Sequence, residues 1–401
     1  MRSAFPVLIA CSILAAAPCA AAEVEFGGDA TASLLALTNP DEYAWQVFFS
    51  VSRPAELGTA GVADSSKKFG DAPDLPLVWE TWALESGGDH SEVYKTDGSR
   101  PPAWEKLPRE SHEIVLDENL ERKMVLSSSK IVKPKFDPLS PVSQEVRANR
   151  IMYEKIVSGD LYSRNGLERN FAAAVKEDSR KKISFDQGAK EIKAEWRPIR
   201  DEDKPRYLWR KFELNGQQIA IGLVALHIIT KDLPNWVWID FGHRDCEIAQ
   251  GACDNKWLSQ FGFPTQLVAE TSPVDATIGQ DGVRAETRGT VWQNYILRGA
   301  QTEFTTSIGS PTVLSNPVIE NTFQKSSCIS CHARASVGPR LVSGDGKQSD
   351  DLNTLSSGDP ELGTPNETLF GAGPGPGIST IEYIQTDFIW SAPFRSMREQ
   401  N

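Results

Sequence analysis

The chain has 401 residues, of which 24% are charged, and a formal net charge of −12 at neutral pH. This acidic balance argues against nucleic acid and anionic membrane surfaces as partners, and it suits either a basic redox partner or simple solubility. The length allows one large domain or two small ones.

The amino terminus has the pattern of a secretory signal peptide. Arg2 precedes an apolar stretch that is interrupted by Pro18 and ends in Ala20-Ala21-Ala22. This stretch is shorter than the roughly 20 residues that a membrane-spanning helix needs. We therefore expect residues 1–22 to be removed, no transmembrane segment after cleavage, and a bacterial protein that is periplasmic or secreted.

Residues 23–310 are expected to form one α+β domain with a mostly antiparallel sheet and flanking helices, because the order of elements gives little indication of βαβ units. Asn215-Gly216 is a hairpin signal between two of the strands. The patterns predict a helix over 41–49, a surface segment over 50–76 and a strand over 75–84. They also predict a helix-rich region over 142–180, strands over 183–199, 206–214, 217–230 and 235–245, and a returning helix over 287–304.

Signal cleavage would leave two pairs of cysteines in an oxidising compartment. Cys246 and Cys253 enclose a short polar loop, and we interpret them as a structural disulfide. Metal ligation with the nearby His243 is the alternative for this pair.

The second pair has a histidine attached, in the order Cys328-x-x-Cys331-His332. Two thiols at this spacing can form thioethers with the vinyl groups of one haem, and the adjacent histidine can then ligate the iron. The motif therefore predicts one covalent haem c with His332 as the proximal iron ligand. The alternatives are a redox-active disulfide and a chance occurrence of the pattern.

The flanks of the motif predict a helix that begins at a cap on Asn316 with Pro317 in its first turn. Beyond the motif, residues 338–377 are mostly Gly, Ser, Asp, Thr and Pro, which is typical of loop. We expect residues 311–401 to be a loop-rich haem-binding segment that packs on the upstream domain and does not fold independently, because such a segment cannot cover a haem alone.

The sixth iron ligand has three candidates. Met397 follows His332 at a spacing that resembles small soluble cytochromes, while His227 and His243 lie in the strand region. A methionine or histidine in this position makes an electron carrier, whereas an open position permits small-ligand binding or oxidant chemistry.

Several stretches together resemble a group of largely uncharacterised bacterial exported proteins that carry one cytochrome c-type haem motif. These stretches are EYAWQVFFSVSRPA, VWETW, GLVALHI, LPNWVWIDFGHRD, SNPVIENTFQKSSCISCHARA and DFIWSAPFR. The resemblance implies single-haem binding through Cys328, Cys331 and His332. In the relatives the strand before the acidic turn tends to read W-x-T-F-E-H-x-D-N. Here His243 matches, but Gly242 stands at the glutamate position, so an acid role there is unsupported.

Three functions fit these patterns. The favoured one is a periplasmic monohaem c-type cytochrome that transfers electrons to or from an unidentified redox partner protein. The second is a haem enzyme or small-ligand sensor of the peroxidase or oxygenase kind, and the third is a binding protein with a structural haem. The sequence assigns no catalytic residue, since no paired carboxylates, nucleophile elbow, phosphate loop or H-E-x-x-H accompanies the motif.

Overall fold

The computed structural model describes residues 25–107, 144–177, 179, 183–214, 217–246, 282–316, 318–320, 326–342, 344–355, 362–371 and 381–400. The predicted signal peptide, the predicted hairpin turn at Asn215-Gly216, and Cys253 lie outside the described residues. In chain order the helices are α1 (Ala30–Thr38), α2 (Pro40–Val51), α3 (Arg150–Ser158), α4 (Arg164–Glu177), α5 (Cys328–His332) and α6 (Ser391–Arg395).

The main sheet is antiparallel and has seven strands in the described part of the chain. Its order is β1-β2-β3-β5-β6-β7, and β4 pairs with the outer part of β5. The strands are β1 (Ala83–Leu84), β2 (Gln144–Ala148), β3 (Lys190–Ile199), β4 (Trp209–Leu214), β5 (Gln217–Thr230), β6 (Val237–His243) and β7 (Tyr295–Gln301). The predicted α+β class is therefore confirmed.

The segment after the motif adds short antiparallel pairs. Strand β9 (Arg340–Val342) pairs with β10 (Gln348–Leu352), and β11 (Ile384–Gln385) pairs with β8 (Ser336–Val337). Among the described residues no helix is long and apolar enough to cross a bilayer.

Two sequence predictions of local structure upstream of residue 310 are wrong. Residues 75–84 do not form one strand, because Trp79–Thr81 is a 3₁₀ turn in which the Glu80 carboxylate accepts from the Leu77 amide at 2.8 Å. Residues 295–301, predicted as helix, form β7 and pair with β6. The region over 142–180, predicted to be rich in helix, contains α3 and α4, which follow the strand β2.

The helix predicted around residues 41–49 is present as α2, and its ends explain why it forms. Asn39 accepts from the Glu42 amide, Pro40 lies in the first turn, and Asp41 and Glu42 place negative charge at the helix amino terminus. On the buried face, Phe48 packs on Phe241 of β6 with ring centroids 4.3 Å apart. This helix therefore covers one face of the sheet.

The two faces of the sheet belong to different apolar clusters. Ile192, Leu226 and Phe241 pack with α1 and α2 on one face. Ile229 and Trp238 lie on the other face, in a cluster that also contains apolar residues of α3, α4 and the segment from 311 onward. Residues of this second cluster from the carboxyl-terminal segment are Leu314, Ile329, Val337, Leu352, Ile381, Ile384, Ile389 and Ala392.

Candidate haem-binding site

The motif forms a short helix, α5, that is anchored to the end of β7. Ser327 caps the helix, with its hydroxyl oxygen accepting from the Ser330 amide at 3.4 Å. Gln301 of β7 donates to the Ser327 hydroxyl at 2.9 Å, and its amide oxygen accepts from the Ile329 backbone at 3.0 Å. Because one buried side chain bonds both the cap and the first turn, the helix has a fixed position on the sheet.

The helix begins later than the sequence predicted. Asn316 does not cap it; instead its side chain accepts from the Val318 amide at 2.9 Å and donates to Asp240 of β6 at 2.7 Å. Val318 and Glu320 lie in a turn, and Pro317 is outside the described residues. The Asn316 amide group therefore combines a local bond in this turn with a long-range bond to a buried carboxylate.

Both cysteines of the motif are free thiols, and both are partly exposed. They lie three residues apart on α5, so their side chains project from neighbouring positions of one helical turn. Burial in the protein raises the pKa of Cys331 to about 11, and burial together with Glu320 and Asp240 raises that of Cys328. A thiol-disulfide enzyme needs a lowered pKa at its attacking cysteine, so this environment disfavours that alternative.

His332 is held by its Nδ1 atom. This nitrogen lies 2.9 Å from the backbone oxygen of Phe388, and a carbonyl oxygen only accepts, so Nδ1 carries the hydrogen. Burial lowers the pKa of His332 well below the usual range, so the imidazole is neutral and its lone pair is on Nε2. The ring also packs on Trp238 of β6, with ring centroids 4.5 Å apart.

The carbonyl that orients His332 comes from a strained turn. Asp387 and Phe388 both have positive φ angles, 50° and 71°, which non-glycine residues adopt rarely. The Asp387 carboxylate stabilises this turn by accepting from the Phe185 amide at 2.8 Å and from the Lys231 ammonium at 2.6 Å. Strain that is held in place by such bonds is typical of functional sites.

This donor set matches what a covalent haem requires. A metal-bound histidine almost always donates its second ring N–H to a carbonyl or carboxylate, and His332 does so. Two free thiols on the same short helix would supply the attachment points. Within the described ranges no group of three or more His, Cys, Asp or Glu residues is arranged to bind a bare metal ion. The two thiols and the orientation of His332 fit an iron that is held in a porphyrin.

A row of charged residues crosses the sheet on the same face as Trp238. Lys193 of β3 is paired with His227 of β5, and His227 is paired with Asp240 of β6. The His227 Nε2 atom lies 3.2 Å from Asp240 Oδ1, and the Nε atom of Arg298 on β7 lies 3.2 Å from Asp240 Oδ2. Burial lowers the pKa of His227, but the charge and hydrogen bond of Asp240 outweigh it, and the net shift is upward. We call Lys193, His227 and Asp240 the polar row.

The polar row lies close to the motif. The charge of Lys193 acts on both Cys331 and His332, and His227 also acts on His332. Glu320 influences Cys328 as well as Lys193. The side chains of α5 therefore face buried acids and bases as well as apolar residues.

The three candidates for the sixth ligand have different surroundings. His227 lies on the same face as Trp238. His243 lies on the opposite face, where its ring stacks on Tyr207 at 3.7 Å, its Nε2 contacts the Arg206 carbonyl and its Nδ1 accepts from the Asp245 amide. Met397 is 38% exposed, and its carbonyl accepts from the first residue of α4. Of the three, His227 is the one whose charge influences the pKa of His332.

The predicted disulfide involves Cys246 and Cys253. Cys246 is 4% exposed and packs with Val318 and Ile319 in a small apolar cluster. Since Cys253 is outside the described residues, the bridge stays a prediction.

Sequence reasoning missed Phe388, Asp387, Lys193 and Asp240. In KEIKAEWRPI the charged residues alternate with apolar ones, which normally indicates a strand with one solvent-exposed face. Here the whole of β3 is buried. For Asp240 a signal was present, because it is an acidic residue within the otherwise apolar segment VWIDF of β6.

Comparison of the chain with protein-family models, with curated proteins and with solved structures finds no match.

Proposed function

We propose that the chain is an exported monohaem c-type cytochrome, periplasmic or secreted, that binds one haem covalently through Cys328 and Cys331 and transfers electrons. The observation that carries this proposal is the orientation of His332. Its Nδ1–H donates to the Phe388 carbonyl, as in metal-bound histidines generally, and leaves Nε2 as the nitrogen with the lone pair.

Each residue of the site would have a defined role. The two thiols would form the thioether bonds, and the Nε2 atom of His332 would be the proximal ligand. The Phe388 carbonyl fixes the ring orientation and increases the basicity of the imidazole. Trp238 packs on the imidazole and excludes water from one side of it. The bound haem would supply a one-electron iron couple, and an acidic chain would suit a basic redox partner protein.

The test compares the two cysteine pairs after maturation in a bacterial periplasm. In Cys328→Ser with Cys331→Ser, we expect no haem to stay with the chain after denaturation. In the matched control, Cys246→Ser with Cys253→Ser, covalent haem should remain even if the fold is weakened. Covalent haem in the first double variant would overturn the proposal. The same preparation tests export, since mass spectrometry should find Glu23 as the first residue.

The polar row favours one second candidate, a haem enzyme or small-ligand sensor with an open distal position. His227, whose side chain is 11% exposed, is paired with the Asp240 carboxylate, and such a histidine can hold or move a proton beside a bound substrate. In that case carbon monoxide should bind the reduced protein rapidly, and His227→Leu should change the rate. In an electron carrier whose sixth position is filled by His227, carbon monoxide should bind the wild type slowly and His227→Leu rapidly. Met397→Leu is the matched control, and in either case it should bind carbon monoxide at the rate of the wild type.

A further inference from the structure

The turn that holds His332 is bonded to a second strained turn. In the described part of the chain five residues other than glycine have a positive φ, and three of them are Trp236 (61°), Asp387 (50°) and Phe388 (71°). The Lys231 ammonium contacts both of the turns that contain them. Strain that is gathered at one place persists only where the surrounding structure holds it, and it is typical of functional sites.

The first of these turns joins β5 to β6 and surrounds the Lys231 side chain. The Lys231 Nζ atom donates to the Pro234 carbonyl at 2.9 Å and lies 5.4 Å from the centroid of the Trp236 ring. Trp236 is fully buried, its amide donates to the Leu233 carbonyl at 2.9 Å, and its ring meets that of Phe185 edge to face at 5.7 Å. A turn of the main sheet therefore fixes the position of the ammonium.

The second turn is held through the side chain of Asp387. Its Oδ1 atom accepts from the Lys231 ammonium at 2.6 Å, and its Oδ2 atom accepts from the Phe185 amide at 2.8 Å. The Lys231 and Asp387 side chains are only 12% and 10% exposed, so solvent screens this ion pair little. Each carboxylate oxygen thus bonds a donor whose own position is fixed.

The backbone attaches the same turn to the chain that follows the motif. Strand β11, which precedes the turn, pairs with β8, and the Thr386 amide donates to the Ala335 carbonyl at 2.9 Å. Ala335 lies three residues after His332. The turn is therefore fixed by the backbone on one side and by the Asp387 carboxylate on the other, and between them the Phe388 carbonyl contacts the imidazole.

We propose that Lys231 and Asp387 are positioning residues that set the reduction potential of the bound haem. They do so by holding the Phe388 carbonyl on the Nδ1 atom of His332. This inference rests on the proposed function. A carbonyl on Nδ1 makes the imidazole more basic, which favours the oxidised iron and lowers the potential. Without the two bonds to Asp387 the turn would relax to ordinary φ angles, the carbonyl would turn away, and the potential would rise.

Two substitutions of Asp387 test this proposal, because they change the charge equally. Asp387→Asn keeps one acceptor oxygen and tolerates a positive φ, whereas Asp387→Gly tolerates the same φ and has no acceptor. In the haem-loaded protein we expect a higher midpoint potential in Asp387→Gly than in Asp387→Asn. Equal potentials in the two variants would overturn the proposal.

The haem-free chain gives a second readout. In Cys328→Ser with Cys331→Ser, nitrogen-15 NMR should find the imidazole hydrogen of His332 on Nδ1. Adding Asp387→Gly or Lys231→Met should transfer part of that hydrogen to Nε2, because the carbonyl no longer fixes the tautomer. A hydrogen that stays on Nδ1 in both variants would show that neither residue holds the carbonyl, and the proposal would be wrong.

Lys204 provides the matched control for Lys231. Its ammonium also lies over a tryptophan ring, that of Trp209 at 4.3 Å, and is paired with Asp201 at 2.7 Å. It belongs to the segment between β3 and β4, outside both strained turns. In the same haem-free background, Lys204→Met should leave the hydrogen of His332 on Nδ1.

The two readouts separate this inference from the proposed function. A wild-type chain without covalent haem would overturn the proposed function, while the His332 tautomer would still show whether Asp387 and Lys231 hold the carbonyl. Conversely, a chain that binds haem but has the same tautomer in all variants would overturn the inference alone. If Asp387→Gly does not fold, Lys231→Met decides by NMR, because the Phe185 amide still bonds the Asp387 carboxylate in that variant.

Discussion

The carboxyl-terminal segment is tied to α4 by one carboxylate between two guanidinium groups. Arg398 donates from Nη2 to Glu168 Oε1 at 2.8 Å and from Nη1 to Glu168 Oε2 at 3.1 Å. Arg340 donates to the same carboxylate. These bonds, with the Arg398 hydrogen bond as the largest cause, lower the pKa of Glu168 from 4.5 to about 2. This contact joins both β9 and the chain terminus to the domain.

The pKa shift predicts an acid-sensitive contribution to stability. Lowering the pKa of Glu168 from 4.5 to about 2 corresponds to about 3.4 kcal/mol before solvent screening. The Glu168 side chain is 26% exposed, so we expect about 1–2 kcal/mol. Because the folded pKa lies below the unfolded one, this stabilisation is complete above pH 4.5 and is lost as the pH falls towards 2.

Urea denaturation of the wild type and Glu168→Gln, at a series of pH values, measures this contribution. We expect the wild type to be more stable by about 1–2 kcal/mol at neutral pH, and the difference to shrink as the pH approaches 2. Glu154→Gln is the matched control, because its ion pair with Arg150 is half exposed and should contribute less than about 0.5 kcal/mol. A difference for Glu168→Gln that stays constant across this pH range would refute the reasoning.

Three further predictions concern other parts of the fold. Burial lowers the pKa of His243 to about 4, so its contribution to stability should be present above pH 6.5 and fall as the pH decreases to 4. His243→Gln should lack that decline in urea titrations, and an identical decline would contradict the assignment. Asp240→Asn removes the carboxylate that lies 3.2 Å from the buried Arg298 guanidinium and 3.2 Å from the His227 ring, and should lower the free energy of unfolding by about 3 kcal/mol; a loss below about 1 kcal/mol would contradict it. In Gly166→Ala the new Cβ would lie 1.9 Å from the Asp160 carbonyl oxygen, so we expect a lower melting temperature, whereas Gly344→Ala, with no atom within 4 Å, should change little.

The strands of the sheet were predictable where apolar residues alternate or run continuously. Residues 217–230 and 235–245 have that pattern, and β5 and β6 lie within them. The strand β7 was mistaken for a helix because YILRGAQ has no clear period of two. In its pairing with β6, Gly299 lies opposite Asp240 and Leu297 lies opposite Phe241, so Arg298 is an extra residue that breaks the alternation. Local periodicity cannot reveal an irregularity that the neighbouring strand imposes.

The strand predicted over residues 75–84 was wrong for a different reason, because Trp79–Thr81 is a turn. The β-branched and aromatic residues of VWETW favour a strand, but Glu80 is buried and forms an ion pair with Arg210 of β4. This pairing joins residues that are far apart in the chain, and it holds Glu80 in a turn. Long-range electrostatic contacts of this kind override local preference and leave no trace in a short window of sequence.

In the candidate site, too, the local features were predictable from the sequence and the long-range contacts were not. The spacing of Cys328, Cys331 and His332 was informative because all three residues act within one helical turn. The Phe388 carbonyl lies 56 residues further along the chain from the imidazole that it contacts. A backbone oxygen has no identity in the sequence, so this partner could only be found from the structure.

The central claim is covalent attachment of one haem with His332 as the proximal ligand. The most direct measurement is the pyridine haemochrome spectrum of the denatured, periplasmically matured wild type, together with its haem content per chain. The account predicts a c-type spectrum with one haem per chain. A chain that contains no haem, or that loses all of it on denaturation, would contradict the account, and a Cys328–Cys331 disulfide in that chain would support the thiol-disulfide alternative.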